Sequence, residues 1–247
     1  MKLVLIGYGK MGKEIERLAN EQGHVVHAIV TKSDDSNSAF NKLQGADVAI
    51  EFSTPDAAVD NLLTCFKAGV NVVCGTTGWT KRMPEITAAC SEANGGFFYA
   101  SNFSIGVNIF FELNRRLAEL MHNQSEYQVS MEEIHHLQKK DAPSGTALTL
   151  AKSILENKPE LQGIDNNIRF DAIQTFDTLP NLLPIVSTRI ENVTGTHEIT
   201  YASELDRISI KHEAHSRLAF AKGVLMAAQW MQGKQGIFGM QDLLKIS

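Results

Sequence analysis

The chain has 247 residues, 43% of them hydrophobic and 21% charged, with a formal net charge of −5. That composition excludes a disordered, collagenous or coiled-coil protein and allows one large or two small globular domains. The acidic balance, without a basic block, argues against nucleic acid or an anionic membrane as partner, and no apolar run reaches the ~18 residues needed to span a bilayer.

Lys2–Ile6 reads as a buried strand, followed by a glycine cluster and by Met11, Ile15 and Leu18 at helical spacing in Met11–Glu21. Val25–Val30 and Asp47–Phe52 are the next strands, and the run from Asp34 to Ser38 between them reads as a polar loop. Ala57–Ala68 is helical, Val70–Cys74 a fourth strand, Pro84–Ala93 a helix with Pro84 in its first turn, and Phe97–Ala100 a fifth strand. Strands alternating with helices at this pace predict βαβ units and a parallel sheet.

The pattern changes after Ser104. Val107–Met121 is a long amphipathic helix, Tyr127, Val129 and Met131 alternate with polar residues as in a strand, and Gly145–Leu155 is a helix. Ile168–Ile173, Ile185–Ile190, His197–Tyr201 and Arg207–Lys211 alternate as strands of an antiparallel or mixed sheet. Leu218–Gln232 returns to an apolar helix, and this terminal helical segment, too short for a domain, is expected to pack back on the first sheet. The expected fold is therefore α/β. It has a Rossmann-type parallel-sheet domain (1–104 and 216–247) and a smaller α+β domain with a mixed sheet (105–215).

Gly7-Tyr8-Gly9-Lys10-Met11-Gly12 is a GxGxxG run between a strand and a helix, the context in which that pattern binds a dinucleotide. Gly7 permits the tight turn, Gly9 lets pyrophosphate approach the backbone, and Gly12 lets the helix pack closely. The helix N-terminus offers free N–H groups to phosphate. At the end of the second strand, where an acid would read the ribose of NAD, stand Thr31 and Lys32, a hydroxyl and a cation suited to a 2′-phosphate. NADPH is therefore the expected cofactor, with NADH possible because Asp34 and Asp35 are close by. Gly75-Thr76-Thr77-Gly78 follows the fourth strand, at the sheet edge where a nicotinamide carboxamide would sit, although a plain glycine turn has the same pattern.

The densest polar cluster runs from Glu133 through His135, His136, Lys139, Lys140 and Asp141 to Ser144, Gly145 and Thr146. Histidine titrates near neutral pH and is the usual proton donor. Ser144 is a good N-cap, which leaves the Gly145 and Thr146 amides as a carboxylate receptor. Together they predict a carboxylate-bearing substrate and a step that needs a proton. A zinc site from Glu133, His135 and His136 is disfavoured, since adjacent histidines are poor ligand spacing and no cysteine pair completes the set; no metal is expected. Cys65, Cys74 and Cys90 have no CxxC spacing and are expected to be reduced, buried and cytoplasmic. The apolar run before Gly7 is too short for a secretory signal.

Seven segments resemble the 4-hydroxy-tetrahydrodipicolinate reductase (dihydrodipicolinate reductase) family, in the family's order and over almost the whole chain. They are Gly7–Gly12, Glu51–Pro55, Gly75–Gly78, Ala100–Val107, His135–Thr146, Gly195–His197 and Gly236–Leu244. The resemblance implies an NAD(P)H-dependent reductase that converts 4-hydroxy-tetrahydrodipicolinate to tetrahydrodipicolinate in lysine and diaminopimelate biosynthesis. His135 would be the proton donor and Lys139 the second catalytic group, holding a substrate carboxylate. His136, Ser144, Gly145 and Thr146 would also bind substrate. The cofactor would lie on Gly7, Tyr8, Gly9, Lys10, Met11, Gly12, Thr31, Lys32, Phe52, Gly75, Thr76, Thr77, Ala100, Ser101, Asn102 and Phe103. The first domain would bind the dinucleotide, and the second would bind substrate and build a homotetramer through its sheet.

The chain departs from the family in its glycine turn, where the family usually reads GxxGRMG and Lys10 replaces the arginine. Thr31-Lys32 replaces the family's acid–arginine pair, and Gln138 stands where many members carry a basic residue. Two other readings share the first hundred residues: an amino-acid dehydrogenase acting on aspartate, and a non-enzymatic NADP(H) sensor. Asp141-Ala-Pro-Ser-Gly-Thr146 counts against the first and the His135–Lys139 cluster against the second.

Overall fold

The computed structural model describes residues 1–169, 179, 181–216 and 218–246. The chain forms two compact units, Met1–Ile105 with Leu218–Ser247, and Gly106–Arg217.

The first unit begins with β1 (Lys2–Ile6), α1 (Lys10–Glu21), β2 (Val25–Val30), α2 (Ser36–Leu43) and β3 (Val48–Glu51). It continues through α3 (Pro55–Lys67), β4 (Asn71–Cys74), α4 (Met83–Glu92) and β5 (Gly96–Tyr99). The chain returns to it late with α7 (Leu218–Trp230), β11 (Gly236–Phe238) and α8 (Met240–Leu244). The strands pair in the order β11-β5-β4-β3-β1-β2, and every pairing is parallel.

Alternation along β1 explains the layers. Leu3 and Leu5 enter one core with Ile15 and Leu18 of α1 and Val224, Leu225 and Ala228 of α7. Val4 and Ile6 enter the other with Leu43 of α2, Leu62 and Phe66 of α3 and Ile86 of α4. A strand apolar on both faces must be covered twice, so the sheet is doubly wound. Its order reverses between β1 and β3, and ligands of such sheets bind beyond the carboxyl ends of the strands at that point.

Two sequence expectations need correction in these units. The polar run from Asp34 to Ser38 is not merely a loop: Asp35 caps α2 by accepting the Ser38 N–H at 2.7 Å, so the run opens a helix. The expected strand Ile168–Ile173 begins earlier, as β7 (Ile164–Arg169); its later part lies outside the described residues.

The second unit contains α5 (Ile105–Leu120), β6 (Gln128–His135), α6 (Gly145–Asn157), β7, β8 (Leu183–Arg189), β9 (Thr196–Ala202) and β10 (Arg207–Glu213). The strand order is β10-β9-β6-β8-β7, parallel between β6, β8 and β7 and antiparallel between β6, β9 and β10, so the sheet is mixed. One face is buried against α5 and α6. At one end it carries Val129 and Met131 of β6, Leu183 and Ile185 of β8, and Ile199 and Tyr201 of β9. The same parity continued along the three strands brings Glu133 and His135, Ser187 and Arg189, and His197 into the interior, all of them buried.

Candidate active site

The first unit gathers its candidate residues at strand ends. Gly7 follows β1 with φ +90°, and a Cβ there would lie 2.1 Å from the Phe52 carbonyl oxygen, so any other residue forces the backbone to shift. Gly12 brings α1 down on that turn, where its Cβ would lie 2.6 Å from the Gly7 oxygen. At Gly9 an added Cβ meets nothing within 4 Å, which leaves the backbone open to a ligand. Ile6, Gly7, Tyr8, Gly9, Thr31 and Lys32 line one groove of about 600 Å³, which reaches Phe52 and Asn61 on the other side. These residues fit the adenosine and pyrophosphate parts of a dinucleotide. Lys10 is exposed and Met11 half-buried at the start of α1, while the Tyr8 hydroxyl is tied to Glu16.

At the end of β2 the structure ties up Asp34, one of the two acids that leave NADH possible. The Asp34 carboxylate accepts the Thr31 N–H at 2.9 Å, the Ser38 hydroxyl at 2.6 Å and the Lys42 ammonium at 2.6 Å. The bond from Lys42, then those from Ser38 and Thr31, hold its pKa well below the usual carboxylate range.

Beyond β3 and β4 lies a second set. Phe52 packs its ring on Gly75, where a Cβ would lie 2.1 Å from Cζ, and meets Phe103 with ring centroids 5.8 Å apart. The Thr76 hydroxyl accepts the Ser53 N–H at 2.9 Å, which ties the two loops together. Beneath them the buried Glu51 accepts bonds from the Ser53 N–H and hydroxyl and from Asn61, and Cys74 Sγ stands 3.1 Å from it. Thr77 and Ser101 are exposed, Ala100 is buried, and the Asn102 side chain accepts the Ser104 N–H at 2.9 Å.

In the second unit the polar ends of β6, β8 and β9 meet the start of α6. Glu133 is the hub. Both of its carboxylate oxygens accept the Ser144 N–H at 3.1 Å; the Ser187 hydroxyl donates at 2.9 Å and the Arg189 guanidinium at 3.2 Å. His135 Nδ1 is 3.5 Å from Glu133 Oε2 and His197 Nε2 is 3.7 Å from it. The two imidazoles meet edge to face, with centroids 5.1 Å apart. Ser144 caps α6 by accepting the Ala147 N–H at 3.1 Å, and its hydroxyl lies 3.1 Å from His197 Nε2.

Charge follows this geometry. Burial works to raise the Glu133 pKa, but the contacts from His197 and Ser144, with the charge of His135 and the Ser187 hydroxyl, hold it well below the usual range. Burial pushes His135 down to about 4, against the pull of Glu133 and with the repulsion of His197, Lys139 and Arg189. Glu133, His135 and His197 converge within 4.8 Å, and His136 is not among them. With its oxygens taken by Arg189, Ser187 and Ser144, the carboxylate is the acceptor of a hydrogen-bonded network.

Of the residues singled out in the sequence, His135 and Ser144 share this network. Lys139 stands beside it, its ammonium 2.9 Å from each oxygen of Asp141, whose pKa it lowers. Gly145 is exposed and Thr146 half-buried in the first turn of α6, where N–H groups have no partner inside the helix. His136 is not joined to the cluster, and its buried Nδ1 has no hydrogen-bond partner among the described residues. Sequence reasoning missed the hub role of Glu133, and it missed Arg189 and His197 as members of the site. Strand alternation carried the signal: all three fall at core parity with isoleucine, methionine or tyrosine.

Family models described as "Dihydrodipicolinate reductase, N-terminus" and "Dihydrodipicolinate reductase, C-terminus" match residues 1–103 and 106–244. A relative from Christiangramia forsetii named 4-hydroxy-tetrahydrodipicolinate reductase is 46% identical over 246 residues, covering 99% of this chain and 98% of the relative. A relative of the same name from Chromobacterium violaceum is 32% identical, covering 98% of this chain and 97% of its own. Among solved structures, the dipicolinate-bound dihydrodipicolinate reductase from Paenisporosarcina sp. TG-14 has the same fold, with a TM-score of 0.74 at 23% identity and coverage of 98% and 99% of the two chains. Both halves of the chain thus carry the same signature, and the chain belongs to the dihydrodipicolinate reductase family.

Proposed function

We infer that the chain reduces 4-hydroxy-tetrahydrodipicolinate to tetrahydrodipicolinate with NAD(P)H, a step of lysine and diaminopimelate biosynthesis. The family match across both units carries this reading, and the buried imidazole beside an ammonium and a helix N-terminus supplies its chemistry. The reduced nicotinamide, when bound, supplies a hydride.

The residues of the chain do the rest. The turn from Gly7 to Gly12 receives the pyrophosphate, and the loops at Phe52, Gly75–Thr77 and Ala100–Phe103 hold the nicotinamide side. Lys139 and the Gly145 and Thr146 amides bind the two carboxylates of the substrate, with His136 as a further contact. Loss of the 4-hydroxyl as water gives the conjugated imine, hydride addition to its conjugated carbon leaves an enamine-like anion, and His135 delivers the proton to it. Replacement of His135 by Ala is expected to lower kcat by about 10²–10⁴. Lys139→Ala is expected to lower kcat and to weaken substrate binding. Both are read by NAD(P)H oxidation with enzymatically generated substrate, and wild-type turnover in both variants would refute the assignment.

NADPH is the preferred cofactor in this reading. Asp34 lines the groove beside Thr31 and Lys32, yet Lys42 neutralises it and Thr31 and Ser38 occupy its oxygens. Lys32 is then left to a 2′-phosphate. The ratio of kcat/KM for NADPH and NADH tests this, and an NADH preference counts against it. The protein is also proposed to be cytoplasmic and a homotetramer assembled through the second sheet. The three buried, unpaired cysteines support the first; an exposed Ile208 on β10 and Leu205, 94% exposed in the turn before it, support the second. Among the described residues no helix is long and apolar enough to cross a membrane.

A further inference from the structure

His135 is held on every side by groups that the proposed chemistry does not use. Its backbone is the last position of β6, and its carbonyl accepts the Ile190 N–H at 2.9 Å. Its Nδ1 is buried without a hydrogen-bond partner among the described residues, and Glu133 Oε2 lies 3.5 Å from it. The His197 ring lies against it edge to face. On the Nε2 side stands Gly195, where an added Cβ would come within 3.1 Å of Nε2 and 3.2 Å of Cδ2, tighter than a ring tolerates without shifting. Glu133 is itself fixed by the Ser144 amide and by Arg189, which is 3% exposed, so it cannot follow a displaced ring cheaply.

We propose that Glu133 and Gly195 are the positioning residues of the proton donor: the carboxylate holds His135 by its Nδ1 edge, Gly195 leaves room for the opposite edge, and Nε2 is thereby the atom presented to substrate. This rests on the reading of His135 as the donor. A carboxylate beside Nδ1 places the proton of the neutral ring there, and it stabilises the imidazolium that must exist before a proton is given up. The same carboxylate binds the Ser144 N–H at the head of α6, so the donor and the carboxylate-binding helix end share one anchor. The charges around the ring are Glu133 on β6, Arg189 on β8, His197 on β9 and Lys139 after β6, with Asp141 paired to Lys139. Glu133 alone opposes the three that disfavour a protonated ring.

The test is Glu133→Gln, which keeps the shape and one acceptor oxygen and removes the charge. For a proton donor, kcat/KM falls as pH rises through its pKa. Loss of Glu133 is expected to move that alkaline limb to lower pH by about one unit and to lower kcat by about 10–100-fold, with the Kd for NADPH unchanged. A merely structural role would not move the limb. Gly195→Ala, on the far side of the ring, is expected to lower kcat about tenfold or more without moving the limb. A folded Glu133→Gln enzyme with the wild-type profile and kcat overturns the proposal. If that variant does not fold, wild-type kcat in Gly195→Ala overturns it instead. His135→Ala separates the two levels. Full turnover there defeats the donor assignment itself, whereas lost turnover there with unaltered Glu133→Gln and Gly195→Ala enzymes defeats only the positioning claim.

Discussion

The two units hold polar chemistry by opposite means. In the first, the groups that could meet a ligand are mainly backbone at the carboxyl ends of parallel strands, exposed by glycine, while the sheet interior is apolar on both faces apart from Glu51 at the end of β3. In the second, the sheet interior itself turns from apolar to charged along β6, β8 and β9, and a buried carboxylate gathers its polar partners there. A site made of backbone depends on shape and tolerates most side-chain changes nearby. A site made of buried charge depends on every partner being present, because each one left alone has lost its solvent.

That contrast can be broken most severely at Glu133. Glu133→Ala leaves Arg189 buried without its counter-charge, and the Ser144 amide and Ser187 hydroxyl lose an acceptor, so the second unit should lose about 3–5 kcal/mol. Both tryptophans, Trp79 and Trp230, lie in the first unit. The far-UV circular dichroism of the variant should therefore lose structure at lower denaturant than tryptophan fluorescence does, and coincident loss at the wild-type midpoint would contradict the contrast.

Acid gives a gentler version of the same experiment. Folded His135 binds its proton near pH 4 and the unfolded residue near 6.5, so between those values the unfolded chain holds more protons and stability falls as pH falls. The loss is on the order of 2–3 kcal/mol by pH 4. Below about 4.5 protonation of Glu133, whose pKa is also depressed in the fold, adds to it in the same direction. Denaturation midpoints by circular dichroism across pH 7 to 4 read this loss, and His135→Ala should flatten the upper part of it.

The smallest of the three effects on stability belongs to the first unit. Gly7→Ala forces a Cβ against the Phe52 carbonyl at a left-handed φ, costing about 1–3 kcal/mol. It should lower the fluorescence midpoint and weaken NADPH binding at least tenfold, read by quenching of tryptophan fluorescence. The acid dependence assigned to the second unit should remain.

How much of this was legible in the sequence differs between the units in the same way. Gly7–Gly12 announces itself because a backbone site needs glycine at fixed spacings, and spacing survives in one dimension. His135, Lys139 and the Ser144 cap were readable because they fall within ten residues of one another. Arg189 and His197 were not, since they reach Glu133 through cross-strand register, Arg189 opposite His135 and His197 opposite Glu133, and register is not written in either strand alone. The parity of Ser187 and Arg189 with Ile185 was visible, and it could have been read as polar groups on the inward face. Helix α2 was hidden for another reason: Asp35 and Ser38 look like loop residues because a capping residue and a turn residue use the same short side-chain bond.

The pairing of β11 with β5 also has a meaning in time. Gly236–Phe238 completes a sheet begun at Lys2, and α7 supplies Val224, Leu225 and Ala228 to the core beneath α1. During synthesis, at about 5–20 residues per second, the ribosome must therefore deliver all of Gly106–Arg217 before the first unit can close. For those seconds Phe98 and Leu5 lack their cover, so the nascent chain is most exposed to chaperones and proteases through the half that was made first.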